Sequence, residues 1–319
     1  MKNSILEALK IPGYGNINNT KDVKCFVDSQ GFSHVIDLVK NTKKSDEDKN
    51  NLDMYSAPVS IEFYENFLHW LFATFEQDEK IFRHDVISRL KLKEGDKVLI
   101  TSCGFGSDIP ICLEFVGETG EVHAQDLSKE MVLYSASRIN KENLLFTISN
   151  ALDLPYKDKY FDAVFHFGGI NLFGDMKKSI SEMERVCKIG GRVVFGDEGI
   201  SPHLREKEYG KIVIKNNPLW GLPTPLDLLP EAAQNVELRY ILGNCFYLIS
   251  FEVGEGLPSI NLDVQHKGYR GGSMRSRYFG EIEGVLPEIK NNLYAYAKEN
   301  NTSVHEILNE ALLSFMSKK

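Results

Sequence analysis

Ser102, Cys103, Gly104, Phe105 and Gly106 form a turn of mostly small residues directly after the apolar run KVLI. About twenty residues later Asp126 follows a second apolar stretch, EVHAQ. Glycines let a backbone approach a ligand where a Cβ would clash. A carboxylate at the end of the next strand can accept two hydrogen bonds from a ribose diol. The spacing strand, glycine turn, helix, strand, acid predicts a site for a nucleoside-bearing cofactor. Ile109 stands where the third glycine of a dinucleotide fingerprint would fall, which argues against a nicotinamide or flavin dehydrogenase.

Further groups with chemical potential lie downstream. His166 ends a predicted strand and is read either as a catalytic base or as a hydrogen-bonded core histidine. Asp197 and Glu198 end a later strand on the same expected face. Such paired acids could take a proton or hold a cationic acceptor, or cap a turn. Asn171 could orient an acceptor, and Tyr209 and Trp220 could line its pocket; packing is the alternative for all three. Arg270, Arg275 and Arg277 lie in a glycine-rich stretch with His266 and Lys267. Their N–H forks suit a carboxylate or phosphate; a solvated surface or intersubunit ion pairs is the alternative.

Positioning these residues requires an alternating α/β chain. From Lys97 onward, strands are expected near 97–101, 121–125, 144–148, 161–166 and 191–196, with helices near 107–116, 128–139 and 176–187. Gly190 and Gly191 are expected to close the last helix. This alternation predicts a doubly wound, mostly parallel sheet with the ligand at the carboxyl ends of the strands. Residues 236–253 read as an antiparallel hairpin about Gly243–Asn244. Residues 287–317 read as two helices, the second opened by the capping box Ser303-x-x-Glu306.

The N-terminal segment, residues 1–84, reads as a mostly helical cap or lid ahead of a central domain over 85–253 and a C-terminal α+β addition over 254–319. The charged run 40–53 is expected to be an exposed loop. Pro58 and Ser60 mark a helix start, and the aromatic stretch that follows reads as packing or as a lid over an acceptor pocket.

A net charge of −8 over 319 residues argues against general affinity for nucleic acid or anionic membrane. No apolar run is long enough to span a bilayer, and no signal peptide is evident. Five scattered cysteines, Cys25, Cys103, Cys112, Cys187 and Cys245, suit free thiols in a cytoplasmic protein, and no metal site is expected.

Two further segments carry a family resemblance. SNALDLPYKDKYFDAVFHFGG (149–169) and SEMERVCKIGGRVVFGDE (181–198), taken with the glycine turn, resemble class I S-adenosylmethionine-dependent methyltransferases, in the branch that methylates quinones, sterols and other small molecules. The resemblance spans about residues 85–200 and implies a Rossmann-like fold. It implies that Ser102, Cys103, Gly104, Phe105 and Gly106 lie beneath the methionine part of the cofactor. It places Asp126 at the ribose, Leu127 beside the adenine, and Asn150 and Ala151 at the ring's polar edge. Phe165, His166, Phe167 and Gly168 fall near the transferable methyl. S-adenosyl-L-methionine is then the cofactor, S-adenosyl-L-homocysteine the product, and a small molecule the acceptor. The chain departs from the family at Ile100, where an acid is usual, and at Ser102, where a glycine is usual. The cofactor's amino-acid end is therefore expected to be held by backbone groups or by the N-terminal segment.

The alternative class is a non-catalytic, cofactor-binding regulator or assembly protein. It would form a homodimer, or bind DNA, through a C-terminal strand-helix-helix order beginning at SMRSRYF. Only a slight basic excess over 265–319 weighs against the DNA reading.

Overall fold

The computed structural model describes residues 3–11, 15–16, 34–38, 46–55, 60–279 and 285–318. Cys25, Pro58 and residues 40–45 of the charged run lie outside the described residues. The chain divides into two compact units, Met1–Leu257 and Pro258–Lys319.

The first unit is built on an eight-stranded sheet. A short two-stranded pair, β1 (Lys10–Ile11) and β2 (Gly15–Asn16), precedes it. The sheet strands are β3 (Val35–Asp37), β4 (Lys97–Thr101), β5 (Glu121–Asp126), β6 (Leu144–Ile148), β7 (Phe161–Phe167), β8 (Cys187–Glu198), β9 (Ala233–Ile241) and β10 (Phe246–Val253). Their order is β3-β6-β5-β4-β7-β8-β10-β9. The strands from β3 to β8 pair in parallel, and β10 runs antiparallel to both β8 and β9. This is the expected doubly wound, mostly parallel sheet.

The order has a functional consequence. From β4 the chain winds outward through β5 and β6, then crosses back to place β7 on the other side of β4. A crevice opens where the winding reverses, outside the carboxyl ends of the strands. The turn Ser102–Gly106 leaves β4 at that point.

Alternation along the strands fills both faces. Val98 and Ile100 of β4 enter one core with Ala163 and Phe165 of β7. Leu99 and Val164 enter the other. The hydrophobic runs are nearly continuous because helices cover both faces of the sheet.

Several expectations are corrected. Asp46–Tyr55, within the run expected to be a loop, is an α-helix, with Lys49 donating to Asp46 at 2.7 Å one turn away. Its charge reflects a solvated helix supported by such pairs rather than a break in structure. The last helix of the α/β series ends at Val186, before the glycines, and β8 starts at Cys187. Gly190, at φ +78°, therefore lies within β8, whose register against β7 shifts between Phe161 and Ala163. The N-terminal segment supplies β3 to the sheet and also buries Ile5, Leu9 and Ile11 in the second core.

In the second unit Met274–Phe279 is helical, not a strand, so the ribbon that the DNA reading needed is not formed by these residues. Pro287–Glu299 and Val304–Met316 are the two expected helices. Ser303 and Glu306 form the capping box reciprocally.

Candidate functional site

The turn after β4 is tied to the ends of its neighbours. The Cys103 N–H donates to the Gln125 carbonyl at 2.9 Å, and the Ser102 N–H to Gln125 Oε1 at 3.4 Å. Gln125 in turn donates through Nε2 to the Ser149 carbonyl after β6. Gly104 N–H donates to Asp126 Oδ2 at 2.9 Å. The second oxygen, Oδ1, accepts from Ser128 N–H at 2.9 Å, where the Lys129–Arg138 helix begins. One carboxylate thus sets both the turn and the following helix start.

A carboxylate has about four lone-pair sites, so Asp126 keeps acceptor capacity for a further donor. Burial raises its pKa, while the N–H groups of Ser128, Gly104 and Leu127 act to lower it. Gly106 holds φ +73°, and a Cβ there would overlap the Ser135 hydroxyl. Only glycine fits that position.

The remaining cofactor candidates line the same edge. Asn150 and Ala151 are buried after β6, and Asn150 Oδ1 accepts from Leu152 N–H at 3.0 Å. Leu127 is half-buried beside Asp126. Phe105 packs between Tyr64 and Tyr134, with ring centroids 4.8 and 4.9 Å away. Cys103 is buried, and burial holds its thiol protonated.

Arg83, Asp108 and Gln125 were not singled out from sequence, whereas Tyr64 belongs to the aromatic stretch read as packing or as a lid. Tyr64, Arg83 and Asp108 join Ser102, Cys103, Phe105, Ser107 and Phe167 around one small cavity at the turn. Arg83 Nη1 donates to both oxygens of Asp108, at 3.0 and 3.1 Å, and Nε donates to Glu79 at 2.7 Å. Burial works against the Arg83 charge, but Asp108, Tyr64 and Glu79 more than restore it. Asp108 and Gln125 stand beside the motif residues, whereas Arg83 is brought from a distant helix and carries no local signal.

Asp197, Glu198 and Asn171 come together. Asn171 N–H donates to Asp197 Oδ2 at 2.7 Å, and its Nδ2 to the Glu198 carbonyl at 2.7 Å. Tyr247 OH donates to Asn171 Oδ1 at 3.2 Å, and Asn217 Nδ2 to Glu198 Oε1 at 3.3 Å. Burial and the neighbouring Asp197 push the Glu198 carboxyl up to about 8.

The other expected residues are placed differently. His166 is fully buried on the face opposite Phe165, with Nδ1 3.0 Å from Thr101 Oγ1 and Phe173 against its ring. Burial drops its pKa to about 4. Trp220 is buried among Trp70, Phe75 and Phe246. Tyr209 donates to the Gly243 carbonyl at 2.9 Å. Arg270, Arg275 and Arg277 belong to the second unit, where Arg275 pairs with Asp263 at 2.9 Å and Arg277 Nε donates to the Gly271 carbonyl at 2.7 Å.

Among the described residues no cluster of three or more His, Cys, Asp or Glu is arranged to hold a metal, and no helix is long and apolar enough to cross a membrane.

Comparison with known proteins agrees with this geometry. Residues 99–195 match the family described as "Methyltransferase domain". The chain is 38% identical over 123 residues to a demethylmenaquinone methyltransferase of Alkalihalophilus pseudofirmus, covering 37% of this chain and 51% of the relative. It is 34% identical over 122 residues to the Staphylococcus aureus protein of that name, covering 38% and 50%. The chain thus spans about half the length of the curated relatives it matches. Among solved structures it resembles a Haemonchus contortus phosphoethanolamine N-methyltransferase 2 in complex with S-adenosyl-L-methionine. That match has a TM-score of 0.52 and 14% identity, covering 64% of this chain and 60% of the other, and it shows a shared fold. The matched segment places a stretch similar to the methyltransferase domain family over residues 99–195, around the switch-point turn and the acid that braces it.

Proposed function

We propose that the protein transfers a methyl group from S-adenosylmethionine to a planar, largely apolar small molecule, with a quinone-type ring such as that of demethylmenaquinone as the leading candidate. The observation that carries the reading is the switch-point turn Ser102–Gly106 braced by Asp126 beside an aromatic surface. Tyr64 and Phe167 line the cavity at the turn; Tyr64 continues through Phe67 to Trp70 by ring contacts of 6.2 and 6.0 Å, and the buried Phe82 backs Phe167 at 5.4 Å. The names of the relatives support the acceptor class.

The residues present fit the cofactor. Gly106 leaves no room for a side chain, and Asp126 retains acceptor capacity for a diol. The sulfonium cofactor supplies an activated methyl group, so the protein's task is alignment and exclusion of water. Asp126 would accept from the ribose hydroxyls, and Asn150 and Ala151 would bound the adenine. Phe105 and Phe167 exclude water from the methyl position. If the acceptor carries a proton at the attacked centre, Glu198 is the group to receive it. Its pKa of about 8 lets it exchange protons near neutrality; Asn217 donates to its Oε1, and Asn171 holds its backbone carbonyl. His166 is enclosed by the core and serves positioning of Thr101.

The test is transfer of radiolabelled methyl to reduced demethylmenaquinone, with phosphoethanolamine as the polar comparison acceptor. Product with the quinone-type acceptor alone is expected. Cofactor binding without transfer to any component of a cell extract would instead favour a cofactor-binding regulator. Absence of binding at millimolar cofactor would overturn both readings.

A further inference from the structure

Ile100 stands where the family usually places an acid, so the amino-acid end of the cofactor lacks its usual partner in β4. A charged pair from elsewhere lies at the same turn. Arg83 comes from the Glu79–Ser88 helix and Asp108 from the residue before the Ile109–Val116 helix. Both side chains are nearly buried, and both line the cavity that Ser102 and Cys103 share.

Two details point to a ligand. Asp108 sits at a helix N-cap yet makes no side-chain capping bond; its oxygens are turned to Arg83. Arg83 spends Nε on Glu79 and Nη1 on Asp108, while Nη2 makes no hydrogen bond to the described residues. An Arg fork with an uncommitted N–H group beside a carboxylate presents both signs of charge within one cavity. That is complementary to a zwitterion: a carboxylate for the guanidinium and an ammonium for Asp108.

We propose that Arg83 and Asp108 form the clamp for the α-carboxylate and α-ammonium of the cofactor's amino-acid tail, replacing the missing acid at Ile100. This inference rests on the cofactor assignment above and deepens it. Arg83 and Asp108 are then binding and positioning residues that fix the direction of the methyl group.

The test uses two ligands on the full chain by calorimetric titration. S-adenosylhomocysteine carries the amino-acid tail; 5′-methylthioadenosine lacks it. Arg83→Gln combined with Asp108→Asn removes both charges together, so neither is left buried without a partner. The double variant is expected to lose at least about tenfold in affinity for S-adenosylhomocysteine, the effect of removing charge-assisted hydrogen bonds. Its affinity for 5′-methylthioadenosine is expected to stay within about twofold of the unaltered protein, which also shows that the nucleoside site is folded. Equal loss for both ligands, or unchanged affinity for S-adenosylhomocysteine, overturns the clamp while the cofactor reading stands. If the unaltered protein binds neither ligand, the cofactor reading falls and the clamp falls with it.

Discussion

Asp126→Asn preserves the shape of the side chain and removes its charge, separating bracing of the turn from ligand binding. The carboxylate accepts from Gly104 and Ser128 N–H groups, each at 2.9 Å. Its pKa is nonetheless raised, because burial outweighs the Ser128, Gly104 and Leu127 N–H groups. Folding therefore disfavours the charged form of this carboxyl. Asparagine relieves that cost while keeping one acceptor, so its effects on stability oppose each other. The expected change in melting midpoint at pH 7 is small, about 2–4 °C, corresponding to ~1 kcal/mol in a unit of this size. Because a raised carboxyl pKa contributes stability that is lost as pH rises, the balance should move toward the variant upward from pH 3.8. Binding has no such offset. A ribose diol would lose charge-assisted bonds worth ~2–3 kcal/mol, a fall of about 30- to 150-fold in affinity for S-adenosylhomocysteine. Titration calorimetry and differential scanning calorimetry on the same samples measure both quantities. Affinity retained within about twofold would refute the placement of the ribose at Asp126. A collapse of the melting midpoint by more than about 10 °C would show that the carboxylate serves the fold above all.

Glu198→Gln tests the buried acid pair. The folded carboxyl titrates at about 8 against an ordinary 4.5, so its contribution is complete below pH 4.5 and is lost as pH rises to about 8. The variant should gain stability relative to the unaltered protein across that window, by on the order of a few kcal/mol, as read from urea midpoints at several pH values. A difference that stays flat with pH would remove Glu198 as a titrating group. Gly106→Ala should cost at least ~2 kcal/mol in thermal stability and abolish cofactor binding, because the backbone holds φ +73° and the new methyl meets Ser135. A variant that melts normally would mean the turn is laxer than its geometry shows.

The α/β series was legible because its signals are local. Period-two apolar runs and the glycine turn locate β4 through β7, and the hairpin about Gly243–Asn244 reads directly as β9 and β10. Where charge masked a helix, in Asp46–Tyr55, or where aromatic and basic residues imitated a strand, in Met274–Phe279, composition misled because solvated helices tolerate almost any polar pattern. Gly190 was read as a helix cap because its positive φ also serves a β-strand irregularity, and sequence does not distinguish the two.

The sequence by itself determined the cofactor class and the turn proposed to hold it, since Ser102–Gly106, Asp126 and Asn150 are set by short strand-to-helix turns whose geometry is encoded within a few residues. Tertiary structure alone decided the rest. It inserted β10 between β8 and β9 and added β3 at the far edge, because backbone pairing partners are chosen across the whole sheet. It turned His166 into the core and gathered Asn171, Asp197, Glu198, Asn217 and Tyr247 into one network. It also brought Arg83 across twenty-five positions of chain to Asp108, where burial makes each charge depend on the other. Such pairs have no signature in sequence, because what selects them is the low dielectric of a cavity that exists only once the chain has folded.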